Sequence, residues 1–418
     1  MPLYSRFQAL SSVWCSAGAP TFPEEPLLKT LEQGAGFFPA QPGLVLGDGK
    51  YRILRKLGWG EDSSVWLADA LQFTPKDYFA VKILTAKATH SHHAGYRHEL
   101  ELLDSIKAVR FNFLPRLRDN FGLSGPHGQH LCLVMDLHGT SVQALRVSTP
   151  TQTLAVHSVK TIIALLLEGF AELHDKGIVH TDVKADNILF EVDVEKAIIG
   201  PSEPLAIEGT FELKGQSYPI LRSQPIAPPV RWDDDCLTTE SWSISLIDLG
   251  HGLRPGKDPL PITVSPPELR PPEMILGAGY DTKLDIWALG CLTFELLTGV
   301  YEDDHLAKMH ELTGDSFSTS FLKRATRSKD YFMPDGTFAR IPDLTPTPIE
   351  TILQQYSVLL LEEDLKPAAD FIRACTRIDP EERPSADTLI GHEWMRGALA
   401  CDGWRDVNAL LGSKAEHS

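Results

Sequence analysis

Alternating apolar and polar residues begin at Tyr51, where the run Tyr51-Arg52-Ile53-Leu54-Arg55-Lys56-Leu57 predicts a first strand. Strand-like segments recur at Ser64 to Ala68, Tyr78 to Leu84 and Leu131 to Met135, and a helical spacing fills Tyr96 to Ile106 between the last two. Together they predict a small sheet carrying one helix. From Thr153 the period becomes helical, most clearly over Val159 to Lys176, and Gly177 closes that helix before the apolar pair Ile178-Val179. The expected class is α+β, with a small β-rich N-lobe at 48–136 and a larger, mainly helical C-lobe at 137–397.

Residues 1–47 are rich in Pro, Gly and Ala with little period and read as a flexible extension, and 398–418 read as a tail. Residues 191–243, with Pro225-Ile226-Ala227-Pro228-Pro229 and Asp233-Asp234-Asp235, read as an insertion and a partly mobile loop. No internal repeat is present. The best apolar run, Thr161 to Leu167, is stopped by Glu168 and falls well short of the ~18 residues a membrane span needs. The first twenty residues hold Arg6, several Ser and no acid, a faint likeness to an organellar transit peptide; a flexible leader is the simpler reading, and cytoplasm or nucleus the expected compartment.

With 418 residues and 43% apolar content the chain can bury a core in each of two lobes. Its formal net charge of -17 disfavours nucleic acid and anionic membranes as partners and suits a basic one. The six cysteines, at 15, 132, 236, 291, 375 and 401, lack C-x-x-C spacing, so neither a zinc site nor a disulfide framework is expected and a reducing compartment is the default.

The chemistry is concentrated in His180-Thr181-Asp182-Val183-Lys184-Ala185-Asp186-Asn187. A phosphoryl-transfer loop needs an Asp to accept the proton of the acceptor hydroxyl, a Lys two residues on for the transferred phosphate and an Asn five residues on for magnesium. Asp182, Lys184 and Asn187 stand at those offsets. Upstream, Gly58-Trp59-Gly60-Glu61-Asp62-Ser63-Ser64-Val65 lies between two strand signals, where glycines let a hairpin backbone approach phosphates and Val65 can pack on a base. Alone it equally fits an ordinary hairpin turn. It is followed by Phe79-Ala80-Val81-Lys82, whose Lys82 can bind phosphates when a helix acid orients it. Glu99 is the expected acid, with Glu101 the alternative, because Glu99 shares a helical face with Leu103. Ser245-Leu246-Ile247-Asp248-Leu249-Gly250 supplies a second magnesium ligand in Asp248. Pro271-Pro272-Glu273, Asp285-Ile286-Trp287 and Arg383 are expected to be structural, with Arg383 paired to Glu273.

From about Asp48 to Met395 the chain resembles the SR-protein kinases, which phosphorylate serines in arginine/serine-rich proteins. The resemblance rests on Lys56-Leu57-Gly58-Trp59-Gly60, Ser64-Val65-Trp66-Leu67-Ala68, His180-Thr181-Asp182, Asp248-Leu249-Gly250 and Leu276-Gly277-Ala278-Gly279-Tyr280 ahead of Asp285-Ile286-Trp287. It implies a bilobal protein kinase fold, ATP and Mg2+ as cofactors, and basic Arg/Ser-rich splicing factors as substrates. It also implies a monomer that binds neither nucleic acid nor membrane. The nucleotide site it implies comprises Leu57, Gly58, Trp59, Gly60, Ser63, Val65, Ala80, Lys82 and Leu189, with Met135 as gatekeeper and Asp136 and His138 as hinge backbone. Asp304 and Glu311 would belong to an acidic docking groove, although acids at a helix start read equally well as solvated first-turn residues.

Thr181 stands where many kinases place an Arg that binds a phosphorylated activation loop, so activity without that modification is expected. Glu61 and Asp62 at the tip of the glycine loop would face the triphosphate and weaken its binding. Leu249 replaces the common Phe, and Ala185 the common Pro. Two further readings stay open: a pseudokinase or scaffold that keeps the fold, and a Ser/Thr kinase with unrelated substrates.

Overall fold

A computed structural model of the chain describes residues 24–72, 77–107, 113–193, 205, 207–227, 230–259, 270–299, 306–340, 344–357 and 360–398. They form two compact units: one holds the chain up to Ser91 with Asn120–Val134 and Pro201–Pro225, the other His92–Asp119, Met135–Gly200 and the chain from Ile226 onward.

In the first unit β1 (Val45–Leu46), β2 (Tyr51–Trp59), β3 (Ser63–Ala70), β4 (Tyr78–Leu84), β5 (Leu117–Gly125) and β6 (Gly128–Met135) form one sheet in the order β1-β2-β3-β4-β6-β5. Period-two alternation buries Tyr51, Ile53, Trp66, Ala68, Val81, Ile83, Cys132 and Val134 in one core. A register shift between Ile53 and Arg55 reverses the parity of β2 and turns Lys56, opposite Trp66, into that buried face.

Residues 24–47, expected to be flexible, are packed. Leu27, Ala35 and Phe37 form a small core with Phe211, Leu213, Tyr218 and Ile220 of the insertion hairpin, Ile207–Leu213 with Gln216–Leu221. Neither segment holds enough apolar residues to fold alone, so neither shows a period, and each supplies the surface the other buries. Leu221 continues into the sheet core. Residues 1–23, 194–204 and the tail from 399 lie outside the described residues. The extension also explains an unexpected helix, α1 (Ala86–His93): Gly36 and Ala35 carbonyls accept from the Ala86 and Lys87 N–H groups, and Thr85 Oγ1 accepts from Ala88 N–H.

The second unit carries α2 (Glu99–Ser105), α3 (Val156–Asp175), α4 (Lys283–Thr298) and α5 (Glu362–Cys375) around a three-stranded sheet of β7 (His138–Ser141), β8 (Ile188–Glu191) and β9 (Ile244–Leu246), with β8 central. The buried stripe of α3, including Val159, Ile162, Ile163, Leu166 and Phe170, packs with Ile286, Leu289 and Leu292 of α4 and Phe371 and Ile372 of α5. Gly177 ends α3 in the left-handed region, its N–H on the His174 carbonyl. Helix α2 makes its contacts within this unit: Leu102 packs where a Cβ on Gly252 would come within 2.6 Å. Among the described residues no helix is long and apolar enough to cross a membrane. Among the described residues Cys132, Cys236 and Cys375 carry free thiols, and burial pushes the Cys132 thiol up to about 12.

Glu168 and Glu172 lie one turn apart on α3, and Glu172 Oε2 is buried with no hydrogen-bond partner among the described residues. Burial, with the Glu168 charge beside it, pushes Glu172 from 4.5 up to about 7. The folded state therefore binds the extra proton, and stability falls as pH rises from about 4.5 through about 7. Thermal melts of Glu172→Gln are expected to show a higher Tm than the parent at a pH about one unit above 7 and little change near pH 5. An equal gain at both would mean that the carboxylate's charge is not responsible.

Candidate active site

The catalytic loop is held from below by one carboxylate. Asp285, fully buried at the start of α4, accepts from Thr181 N–H through Oδ1 at 2.8 Å and from His180 N–H and His174 Nε2 through Oδ2 at 2.8 and 3.0 Å. His180 donates from Nε2 to the Ile247 carbonyl at 2.9 Å and accepts Asp182 N–H on Nδ1 at 3.3 Å, which fixes its proton on Nε2. Thr181 sits at φ 70°, a costly conformation for a β-branched residue, and is tied there by its hydroxyl, which donates to the His251 carbonyl at 2.9 Å.

On this platform Asp182 Oδ2 accepts from Lys184 Nζ at 2.8 Å and from Asn187 Nδ2 at 2.9 Å. Asn187 Nδ2 also donates to the Asp182 carbonyl at 2.8 Å, so its Oδ1 is turned the other way. The β8–β9 ladder pairs Ile188 with Leu246 and is continued by Ile247 N–H on the Asn187 carbonyl, which brings Asn187 and Asp248 to the same end of the two strands. Asp248 is itself left-handed, at φ 70°, with Oδ1 accepting from Gly250 N–H at 3.3 Å. A Cβ on Gly250 would lie 2.9 Å from that oxygen, so a larger residue there would displace the Asp248 carboxylate, and 3.5 Å from Glu99 Oε2, an ordinary contact. Glu99 is buried and Glu101 is exposed, near His92 at 3.7 Å, so Glu99 is the acid that α2 turns inward. Leu249, in the place of Phe, is buried beneath the same turn.

The donor set suits magnesium. Among the described residues no three His, Cys, Asp or Glu side chains could hold a metal by themselves. Mg2+ takes one or two protein oxygens and completes its shell with phosphates and water, and the Asn187 side-chain Oδ1 and the Asp248 carboxylate would be two such oxygens. His138 opens β7 opposite Glu191, and burial holds its imidazole below the usual value. Asp136 is held by Arg118 through bonds of 2.5 and 2.8 Å, Met135 ends β6 and Leu189 lies in β8.

In the first unit the register sets Gly58 opposite Val65 and Val65 opposite Lys82, one row across three strands, with Ala80 two residues along the same face. The turn closes by Gly60 N–H on the Ser63 carbonyl at 2.9 Å. A Cβ on Gly58 or Gly60 would meet no atom within 4 Å, so neither glycine is demanded by packing within the chain. Lys82 is buried in the strand, Leu57 half-buried, and Trp59 exposed at the loop edge. Glu61 was expected to face the nucleotide together with Asp62; its carboxylate lies 3.7 Å from Lys87 Nζ, an exposed pair worth about 0–1 kcal/mol.

The expected structural marks hold together. Arg383 Nη1 and Nη2 meet Glu273 Oε1 and Oε2 at 2.6 and 2.7 Å, and the guanidinium lies 4.9 Å over the Trp287 ring. Of the two docking acids, Asp304 lies outside the described residues, while the Glu311 carboxylate accepts Thr345 N–H at 2.6 Å. Missed from the sequence were His174 as second partner of Asp285, and Arg97, whose Nη2 lies 3.3 Å from His251 Nε2. No motif spacing marks either one.

A strained loop on a buried Asp holds Asp182, Lys184 and Asn187 together, with Asp248 at the same end of the adjoining strands, the residue set that phosphoryl transfer requires. The pattern of the protein kinase domain matches residues 51–199 and 234–395, and the chain belongs to that family. Serine/threonine-protein kinase SRPK of Physarum polycephalum is 29% identical over 391 residues, spanning 86% of this chain and 89% of that one. Protein kinase dsk1 of Schizosaccharomyces pombe is 25% identical over 88% and 86% of the two chains, and SRSF protein kinase 3 of Mus musculus 23% over 86% and 88%. Within its family the chain is a protein serine/threonine kinase and a divergent relative of the SR-protein kinases. A crystal structure of a kinase domain, 22% identical, shares the fold with a TM-score of 0.63 over 86% of this chain and 98% of its own.

Proposed function

We propose that this kinase transfers the γ-phosphoryl group of ATP to serines of basic, Arg/Ser-rich proteins. The observation that carries the reading is the Asp182 carboxylate, with Oδ2 bound by Lys184 and Asn187 and Oδ1 left to receive the proton of an acceptor hydroxyl. Lys184 then neutralises charge on the group in transit, and Asn187 and Asp248 would hold magnesium. Mg2+, when bound, supplies neutralisation of the phosphate charge. Lys82 binds the nucleotide phosphates in the kinase pattern, and the open positions at Gly58 and Gly60 leave room for a phosphate beside the backbone. The net charge of -17 and the likeness to an SRSF protein kinase favour a basic substrate.

The test is a peptide array probed with phosphatase-treated protein and Mg-ATP. Transfer is expected on serines flanked by arginine, without prior loop phosphorylation, because Thr181 replaces the phosphate-binding Arg and bonds the His251 carbonyl instead. Transfer with no preference for arginine would point to unrelated substrates. A folded protein that binds nucleotide and transfers nothing would favour the scaffold.

A further inference from the structure

A buried charged cluster lies behind the glycine-rich strand, on the face of β2 away from Gly58 and Val65. The Lys56 side chain is 1% exposed and meets Glu24 Oε2 at 2.7 Å, Glu25 Oε2, and the Leu221 carbonyl at 3.4 Å. Glu24 in turn accepts from Ser223 N–H at 2.7 Å and Ser223 Oγ at 2.9 Å, and Gln224 N–H donates to the Lys56 carbonyl at 2.9 Å. Two segments distant in sequence thus converge on a residue two positions before Gly58. From the same extension, Phe37 meets Trp59 edge-on with ring centroids 6.1 Å apart, inside the glycine-rich run itself. Burial holds the Lys56 ammonium below its usual value, offset in part by its bond to Glu24.

Such a cluster is a weak source of net stability, because desolvating the charges cancels much of their attraction. Its directional bonds fix position instead. The strand they fix is already bulged, with a second register shift between Lys56 and Gly58, so the ladder alone does not set where the loop begins. We propose that Glu24, Glu25 and Ser223 are positioning residues for the glycine-rich loop, through which the N-terminal extension and the insertion together set nucleotide affinity. This rests on the kinase reading above.

The experiment uses the full chain. Glu24→Ala with Glu25→Ala is expected to raise the KM for ATP roughly tenfold, leaving kcat and the KM for peptide within about twofold. Ser223→Ala removes the Oγ bond to Glu24, keeping the backbone N–H bond and leaving Lys56 paired, and should raise the same KM about threefold; Glu24→Gln, which keeps an acceptor, should stay within about twofold of the parent. A lowered Tm with an unchanged KM for ATP would reduce the cluster to a fold support and overturn the proposal. If the double variant does not fold, Ser223→Ala and Phe37→Leu decide by the same readout. Amide hydrogen exchange over Arg55–Gly60, without nucleotide, separates this idea from the kinase reading. Faster exchange in Ser223→Ala is expected, and parent-like exchange would overturn the positioning role whatever the catalytic outcome. A parent that transfers no phosphate would count against the kinase reading instead.

Discussion

Asp182→Asn is expected to lower phosphoryl transfer by roughly 10²- to 10⁴-fold, the range a positioned base supplies. The substitution keeps the shape of the side chain and an oxygen that can still accept from Lys184 or Asn187. It removes the basicity that draws the proton from the acceptor hydroxyl. Nucleotide affinity should stay near the parent value, because Lys82, Asn187 and Asp248 are untouched. Single-turnover transfer reads the first quantity and the thermal shift produced by Mg-ATP the second. Transfer within about tenfold of the parent would place the proton acceptor elsewhere.

Arg383→Ala is expected to be the most destabilising single change, at about 3–5 kcal/mol. The guanidinium is fully buried, its fork closes on both oxygens of Glu273, and it also donates to the carbonyls of Arg377 at 2.7 Å, Lys283 at 3.0 Å and Ile378 at 3.3 Å. Truncation strands a buried carboxylate and three carbonyls together and uncovers the Trp287 ring. For a unit of this size the loss corresponds to a fall in Tm of roughly 6–20 °C by calorimetry. Arg383→Lys should recover little of it, since one ammonium cannot match both carboxylate oxygens. A fall below about 2 °C would show that Glu273 finds another partner or water.

The catalytic loop was legible because chemistry fixes the spacing of its polar residues within eight positions, and β2, β3, β4 and β6 because one buried face imposes a period of two. Glu99 could be preferred over Glu101 on the same grounds of helical face. Other parts were hidden for physical reasons. The extension and the insertion hairpin complete each other's core across more than a hundred and fifty positions, so neither carries a local pattern. Lys56 sits on the expected solvent parity of its strand and is turned inward by a bulge. Helix α1 depends on carbonyls of Ala35 and Gly36, fifty residues earlier. Glu311 has the composition of a free docking acid, yet its carboxylate is engaged by the Thr345 backbone, a use that composition cannot distinguish.

The route of the chain between its two units also bears on synthesis. Residues 201–225 return to the first unit after the second has begun, so the Lys56 contact with Leu221 waits for 165 further residues to be made. At ordinary translation rates that interval is roughly ten to thirty seconds, during which the emerging sheet lacks Leu221 in its core. A nascent chain in that state exposes apolar surface and a half-satisfied cluster at Lys56. The order in which the ribosome delivers the segments therefore leaves the sheet core and the Lys56 cluster incomplete until Leu221 has emerged.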